Sequence, residues 1–210
     1  MLRDKLFIIN IMSLRSSKIR ALASHLDMQY FPTDEWGMNA LLQDFRLFKR
    51  GRRKTIENVI RSVDQMLETE VNVFDYRYTV SSGKSTKTHK QTVFFVRSKN
   101  LALPEFLMKP ETILHQMGEW LNFTQDIDFV DFPEFSKQYL LQGEDEEYIR
   151  YKMTPQVLRY FTVEKNWTLE GVNYFLIFYQ NRKLLEPSQI RNFYRKGMAA
   201  FSMLKEKELL

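Results

Sequence analysis

Residues 71–97 read VNVFDYRYTVSSGKSTKTHKQTVFFVR, and the fold follows from how this stretch is parsed. From Val71 to Val80, Phe74, Tyr76, Tyr78 and Val80 alternate with Val73, Asp75, Arg77 and Thr79. A period of two with aromatic and β-branched side chains is the signature of a strand. The polar run Ser81 to Thr88 follows, and a second strand is predicted from about His89 to Arg97, around the apolar Val93 to Val96. The pair forms a β-hairpin with a long loop, in which Asp75 and Arg77 share a face with Thr92 and Phe94.

Working outward, Ser17 to Tyr30 reads as a helix, because Ile19, Leu22, Ala23 and Leu26 recur at i, i+3, i+4 and i+7. Ser16 or Ser17 can cap it, and Pro32 with Thr33 and Asp34 ends it. Met38, Leu41 and Leu42 predict a short second helix ending near Phe45. Ile56 to Val63 fits a helix by periodicity and a strand less well. Leu103 to Pro110 is extended, since proline restricts the residue before it. Helices are predicted over Glu111 to Leu121, from Thr154-Pro155 (cap and first helical position) and from Glu186-Pro187-Ser188. Short strands are predicted at Gln138 to Gln142, Tyr148 to Met153, Trp167 to Val172 and Tyr174 to Gln180. The fold class is therefore α+β, a mainly antiparallel sheet with helices packed on one side and at the termini. The expected organisation is one domain over 1–210, which could divide near residue 122 into two subdomains (about 1–122 and 123–210) sharing a core.

The composition supports one folded core: 210 residues, 44% hydrophobic and 14% aromatic. There is no cysteine, which excludes disulfides, thiolate chemistry and cysteine-based zinc sites. The apolar run Leu6 to Met12, flanked by Arg3, Lys5 and Arg15, falls short of the ~20 residues that span a bilayer. It also lacks the cleavage pattern of a signal peptide. It reads as a packed first strand or helical turn, with a peripheral membrane contact as the alternative. Charge is segregated. Residues 1–61 carry twelve Lys or Arg against six Asp or Glu, whereas residues 101–150 carry three against eleven. Such a dipolar chain is not a uniform nucleic-acid coat.

Several motifs fail on inspection. Gly83-Lys84-Ser85 resembles the end of a phosphate-binding loop, but Tyr78 stands where that loop needs glycine, and a strand follows instead of a helix. His25, His89 and His115 have no metal-ligand spacing. The run Glu144 to Glu147 is a solvated acidic turn or a dock for a basic partner. No nucleophile–base signature is present, and no cofactor is expected. Two features keep a functional reading. Lys49, Arg50, Arg52, Arg53 and Lys54 crowd five cations into six residues, enough to hold phosphates or anionic headgroups. Asp126 and Asp128 in D-I-D-F would lie on one face of a strand, where carboxylates can hold a divalent metal.

The segments F-R-L-F-K-R-G-R-R-K-T-I-E-N-V-I, V-F-D-Y-R-Y-T, S-G-K and T-H-K-Q-T-V resemble, in order and spacing, a family of uncharacterised bacterial proteins. The likeness continues through Leu103-Pro104-Glu105-Phe106, Pro110-Glu111, D-I-D-F, F-S-K-Q-Y-L-L-Q-G and W-T-L-E-G, covering roughly residues 40–200. It implies a strand at Ile56 to Val63, and some relatives are membrane-associated. The family brings no reaction or ligand, and its Gly-Gly-like turn is replaced here by Asp64 to Thr69.

The expected function is a non-enzymatic cytoplasmic interaction domain at the membrane face, with a protein partner and an anionic membrane surface favoured over nucleic acid. The alternative is a divalent-metal-dependent enzyme built on Asp126 and Asp128.

Overall fold

The computed structural model describes the backbone of residues 2–83, 85–112 and 126–206, and the side chains within those ranges from residue 14 onward. The predicted helix after Glu111, and His115 with it, lies outside the described residues. Among them, eight strands form one antiparallel sheet: β1 (Gln29–Thr33), β2 (Arg52–Asp64), β3 (Thr69–Ser82), β4 (Ser85–Ser98), β5 (Leu103–Pro110), β6 (Tyr139–Gly143), β7 (Thr168–Asn173) and β8 (Phe175–Tyr179). The spatial order is β1-β2-β3-β4-β8-β7-β5-β6. The helices are α1 (Leu2–His25), α2 (Met38–Leu41), α3 (Arg46–Lys49), α4 (Pro133–Ser136), α5 (Glu146–Lys152), α6 (Pro155–Val163) and α7 (Pro187–Leu204).

The α+β fold class is as the sequence predicts. The larger core lies on the sheet face covered by α1 and α4–α7, where Ile19, Val73, Phe94, Phe106, Leu141, Phe161, Phe178 and Phe193 are buried together. On the opposite face, the single-turn helices α2 and α3 lay Met38, Leu42, Phe45, Leu47 and Phe48 over Ile56, Phe74, Tyr76, Tyr78, Phe95 and Tyr179. The central hairpin pairs Asp75 with Thr92 and Val73 with Phe94, the face-sharing expected from its alternation. Its loop is shorter than predicted. Pairing runs out to Ser82 and Ser85, and Gly83 turns the chain with φ +55°.

Residues 56–63 are strand, and the helical periodicity has a local cause. Between Glu57 and Ile60 the register on β3 slips, leaving Asn58 and Val59 opposite Phe74. Asn58 adopts φ +52°, a conformation Asn tolerates better than most residues. This bulge turns Asn58 toward α1 and leaves Ile56 and Val59 on the opposite face, so a spacing of three arises in a strand.

Three other expectations change. The first helix begins at Leu2 and ends at His25, so the apolar run 6–12 is helical and Ser16 and Ser17 are interior. Ser16 Oγ donates to Asn58 Oδ1 instead of capping. Gln29 to Thr33, with Pro32, is edge strand β1. Tyr148 to Met153 is helical: Asp145 caps α5 by accepting from Tyr148 N, and Ile149 and Met153, four residues apart, are both buried. The acidic run after Gly143 is thus a helix start.

One carboxylate ties these parts together. Asp75, on β3, accepts from Arg15 Nε (2.7 Å) and Nη2 (2.8 Å), from Asn58 Nδ2 (3.0 Å) and from Thr92 Oγ1 (3.2 Å). Arg15 Nη1 also donates to the Leu185 carbonyl ahead of α7.

Helix α7 crosses β4 at Gly197, where an added Cβ would stand 2.5–2.8 Å from the ring of the fully buried Phe94. The Gly197→Ala variant is therefore expected to lose about 1–3 kcal/mol in urea unfolding, the usual cost of overpacking a dense core.

Candidate anion-binding surface

The basic segment is held on the sheet by a buried carboxylate. Glu170, on β7, accepts from Arg46 N (2.6 Å), Leu47 N (3.2 Å) and Tyr179 Oη (2.7 Å). Burial raises its pKa, against which these donors and the Arg46 charge act. They fix the first turn of α3 over β7 and β8. The chain then turns at Gly51 (φ +64°), where an added Cβ would lie 2.6 Å from the Thr79 carbonyl oxygen and 2.8 Å from Tyr78 Cδ2. Only glycine brings the backbone this close.

The five predicted anion-binding residues divide accordingly. Lys49, Arg52 and Arg53 are exposed. Arg50 is half-buried, and Lys54 Nζ donates to the Phe48 carbonyl, which ties it back to α3. Arg53 has φ +51° at a second register shift on β2, opposite Tyr78.

The structure adds cations that the sequence reading left out. Lys87 and His89 lie on β4 beside Val80 and Tyr78, and Lys90 lies beside Arg77. Arg182 is tethered here by its backbone N–H donating to Gln91 Oε1 (3.0 Å), and the Lys183 carbonyl accepts from Thr92 N (3.1 Å). Arg77 is engaged with Glu57 and Thr55. The signal for this patch was in the sequence: no Asp or Glu stands between Asp75 and Glu105. The patch surrounds His89, whose ring lies 5.3 Å from that of Tyr78. Partial burial, then the charges of Arg182, Arg50 and Lys87, push its pKa below the ordinary value.

The carboxylate pair behaves differently. Residues 126–129 form no strand, so the predicted alternation does not apply. Asp126 accepts from Leu141 N (3.0 Å) while Ile127 N donates to the Leu141 carbonyl (2.8 Å), so the side chain extends the ladder along the β6 edge. Burial raises the Asp126 pKa, opposed by the Leu141 N–H and reinforced by Asp128. The Asp128 carbonyl accepts from Arg150. Among the described residues, no three His, Cys, Asp or Glu side chains gather closely enough to hold a metal ion. Of the S-G-K-S stretch, Ser82 and Gly83 end the first arm of the hairpin and Ser85 begins β4.

At the other end of the sheet, a cavity of about 470 Å³ opens beside Val63, Glu70, Arg97 and Tyr174. Burial would raise the Glu70 pKa, but hydrogen bonds from Arg61 and Asn72 and the charges of Arg61 and Arg97 outweigh it and lower it.

No protein-family model matches the chain, and no curated protein matches its sequence. Its fold is similar to the crystal structure of the mycobacterial trehalose monomycolate transport factor A, TtfA. The TM-score is 0.62, with 90% of this chain and 93% of that one covered, at 10% identity. At that identity the likeness is one of fold.

If the cations around His89 set its titration, its NMR midpoint should lie below the usual ~6.5 at low salt and rise as NaCl screens them. A midpoint at the ordinary value and insensitive to salt would contradict this arrangement.

Proposed function

We propose that this chain is a non-enzymatic interaction domain that works at the cytoplasmic face of a membrane, holding the anionic surface with the basic end of its sheet. The supporting observation is the convergence of Lys49, Arg52, Arg53, Lys87, Lys90 and Arg182 at one end of the sheet. Exposed cations gathered at one end of a sheet, on both of its faces, concentrate positive potential there, which suits an extended anionic surface.

The direction of α1 supports the same reading. Its C-terminal half shares the core with Val71 and Val73, and Arg15 meets Asp75 farther along β3. Residues 2–14 therefore continue toward the level of Tyr78 and the hairpin tip, about 20 Å at 1.5 Å per residue. The apolar run Leu6 to Met12 belongs to that half of the helix. No helix among the described residues is long and apolar enough to cross a membrane. A helix lying in the interface together with a polybasic patch gives two weak anchors, and two are what stable peripheral binding needs. The fold shared with a transport factor is compatible with such a role.

Vesicle co-sedimentation tests the proposal. Wild-type protein should bind anionic vesicles and release as salt rises, while Lys49→Ser, Arg52→Ser and Arg53→Asn together should weaken binding by about 3 kcal/mol, roughly 100-fold. Equal binding by variant and wild type would refute it. So would gel shifts with unrelated nucleic acids by a protein that ignores vesicles.

A further inference from the structure

The basic end contains more than exposed charge. Gln91 is fully buried, and its amide orientation is set by Oε1 accepting from Arg182 N. Its Nε2 has no hydrogen-bond partner, and neither do the buried hydroxyls of Tyr76 and Tyr78. These groups lie on one sheet face in adjacent register rows, Tyr76 beside Gln91 and Tyr78 beside His89, with Lys87 two residues along the same face. Unsatisfied buried donors are rare, because each forfeits its hydration without replacement. Here three such groups stand in neighbouring rows, beside a histidine that feels cations from three different segments, so donors and positive charge suited to an anion occur together.

We propose that this end carries a built phosphoryl-binding site, in which Gln91 Nε2 and the Tyr78 hydroxyl donate to phosphate oxygens while Arg50, Lys87, Arg182 and His89 neutralise the charge. Guanidinium groups match the forked geometry of phosphate oxygens, and neutral amide and hydroxyl donors complete the shell. The group can come from a lipid headgroup or from a free phosphate. The headgroup case rests on the membrane reading, whereas the site itself does not. An anion here would favour protonated His89, so its titration reports occupancy directly.

The experiment follows the His89 ring signals of the full chain by NMR during titration with inorganic phosphate, against NaCl of equal ionic strength. A saturable rise of the His89 midpoint beyond that in NaCl is expected. Lys87→Ser with Arg182→Asn, both at exposed positions, should weaken phosphate binding at least about tenfold. Asn suits the φ of +55° at position 182. Gln91→Leu should do the same if it folds, and the exposed pair decides the matter if it does not. Phosphate that moves His89 no further than NaCl does, or binds the variants unchanged, overturns the site. A parallel arm uses phosphatidylcholine vesicles with and without phosphatidic acid. Vesicle binding without a phosphate response would leave the membrane reading standing and remove this site. A phosphate response without vesicle binding would establish the site and assign it a soluble ligand.

Discussion

The Asp75 carboxylate lies at mid-strand in the central hairpin and is largely removed from water, with 11% of its side chain exposed. A charge so placed is tolerated only when hydrogen-bonded and paired. Four donor contacts supply this, and each comes with a structural commitment. Arg15 sets the position and direction of α1, Asn58 requires the bulge in β2, and Thr92 belongs to the partner strand. Thr92 Oγ1 in turn accepts from Leu185 N, and Arg15 reaches the Leu185 carbonyl, so the chain entering α7 is held at the same point. Tyr30 Oη and Ser16 Oγ reach Asn58 Oδ1, which brings β1 into the network.

Two further buried carboxylates extend this logic. Glu170 anchors α3 and so places the basic segment over Tyr78 and Tyr179. Glu70 neutralises Arg61 and Arg97 at the far end of the sheet. Positive charge is thus balanced at one end and left in excess at the other. The asymmetry comes from where acids are placed: β3 beyond Asp75 and all of β4 have none.

The hairpin, β5, β7, β8, α6 and α7 were legible in the sequence because period and capping agreed there. Thr154 and Glu186 both cap as their positions imply. Misreadings occurred where a local device overrode the period. The Asn58 bulge imitated helical spacing in β2, and the six residues Tyr148 to Met153 are too few to separate an alternating strand from a helix with one buried side. The basic segment was legible as charge, but its partners were not. His89, Lys87 and Arg182 belong to one surface only because β4 pairs with β3 and Gln91 captures the Arg182 backbone. The unsatisfied Gln91 amide is visible only once the fold is known. The engagement of Asp126 with Leu141 was not legible, because it depends on a contact across fifteen residues.

The Arg15–Asp75 pair fixes α1 on the sheet and with it the layout of the molecule. A double-mutant cycle in urea unfolding with Arg15→Met and Asp75→Asn measures that coupling directly. Residues sharing one buried network should couple by about 2–3 kcal/mol, near the top of the usual range for contacting residues, with each single change costing more than its share of the double. Additive effects, within ~0.5 kcal/mol, would show that the helix is held by its apolar face alone and would contradict the account.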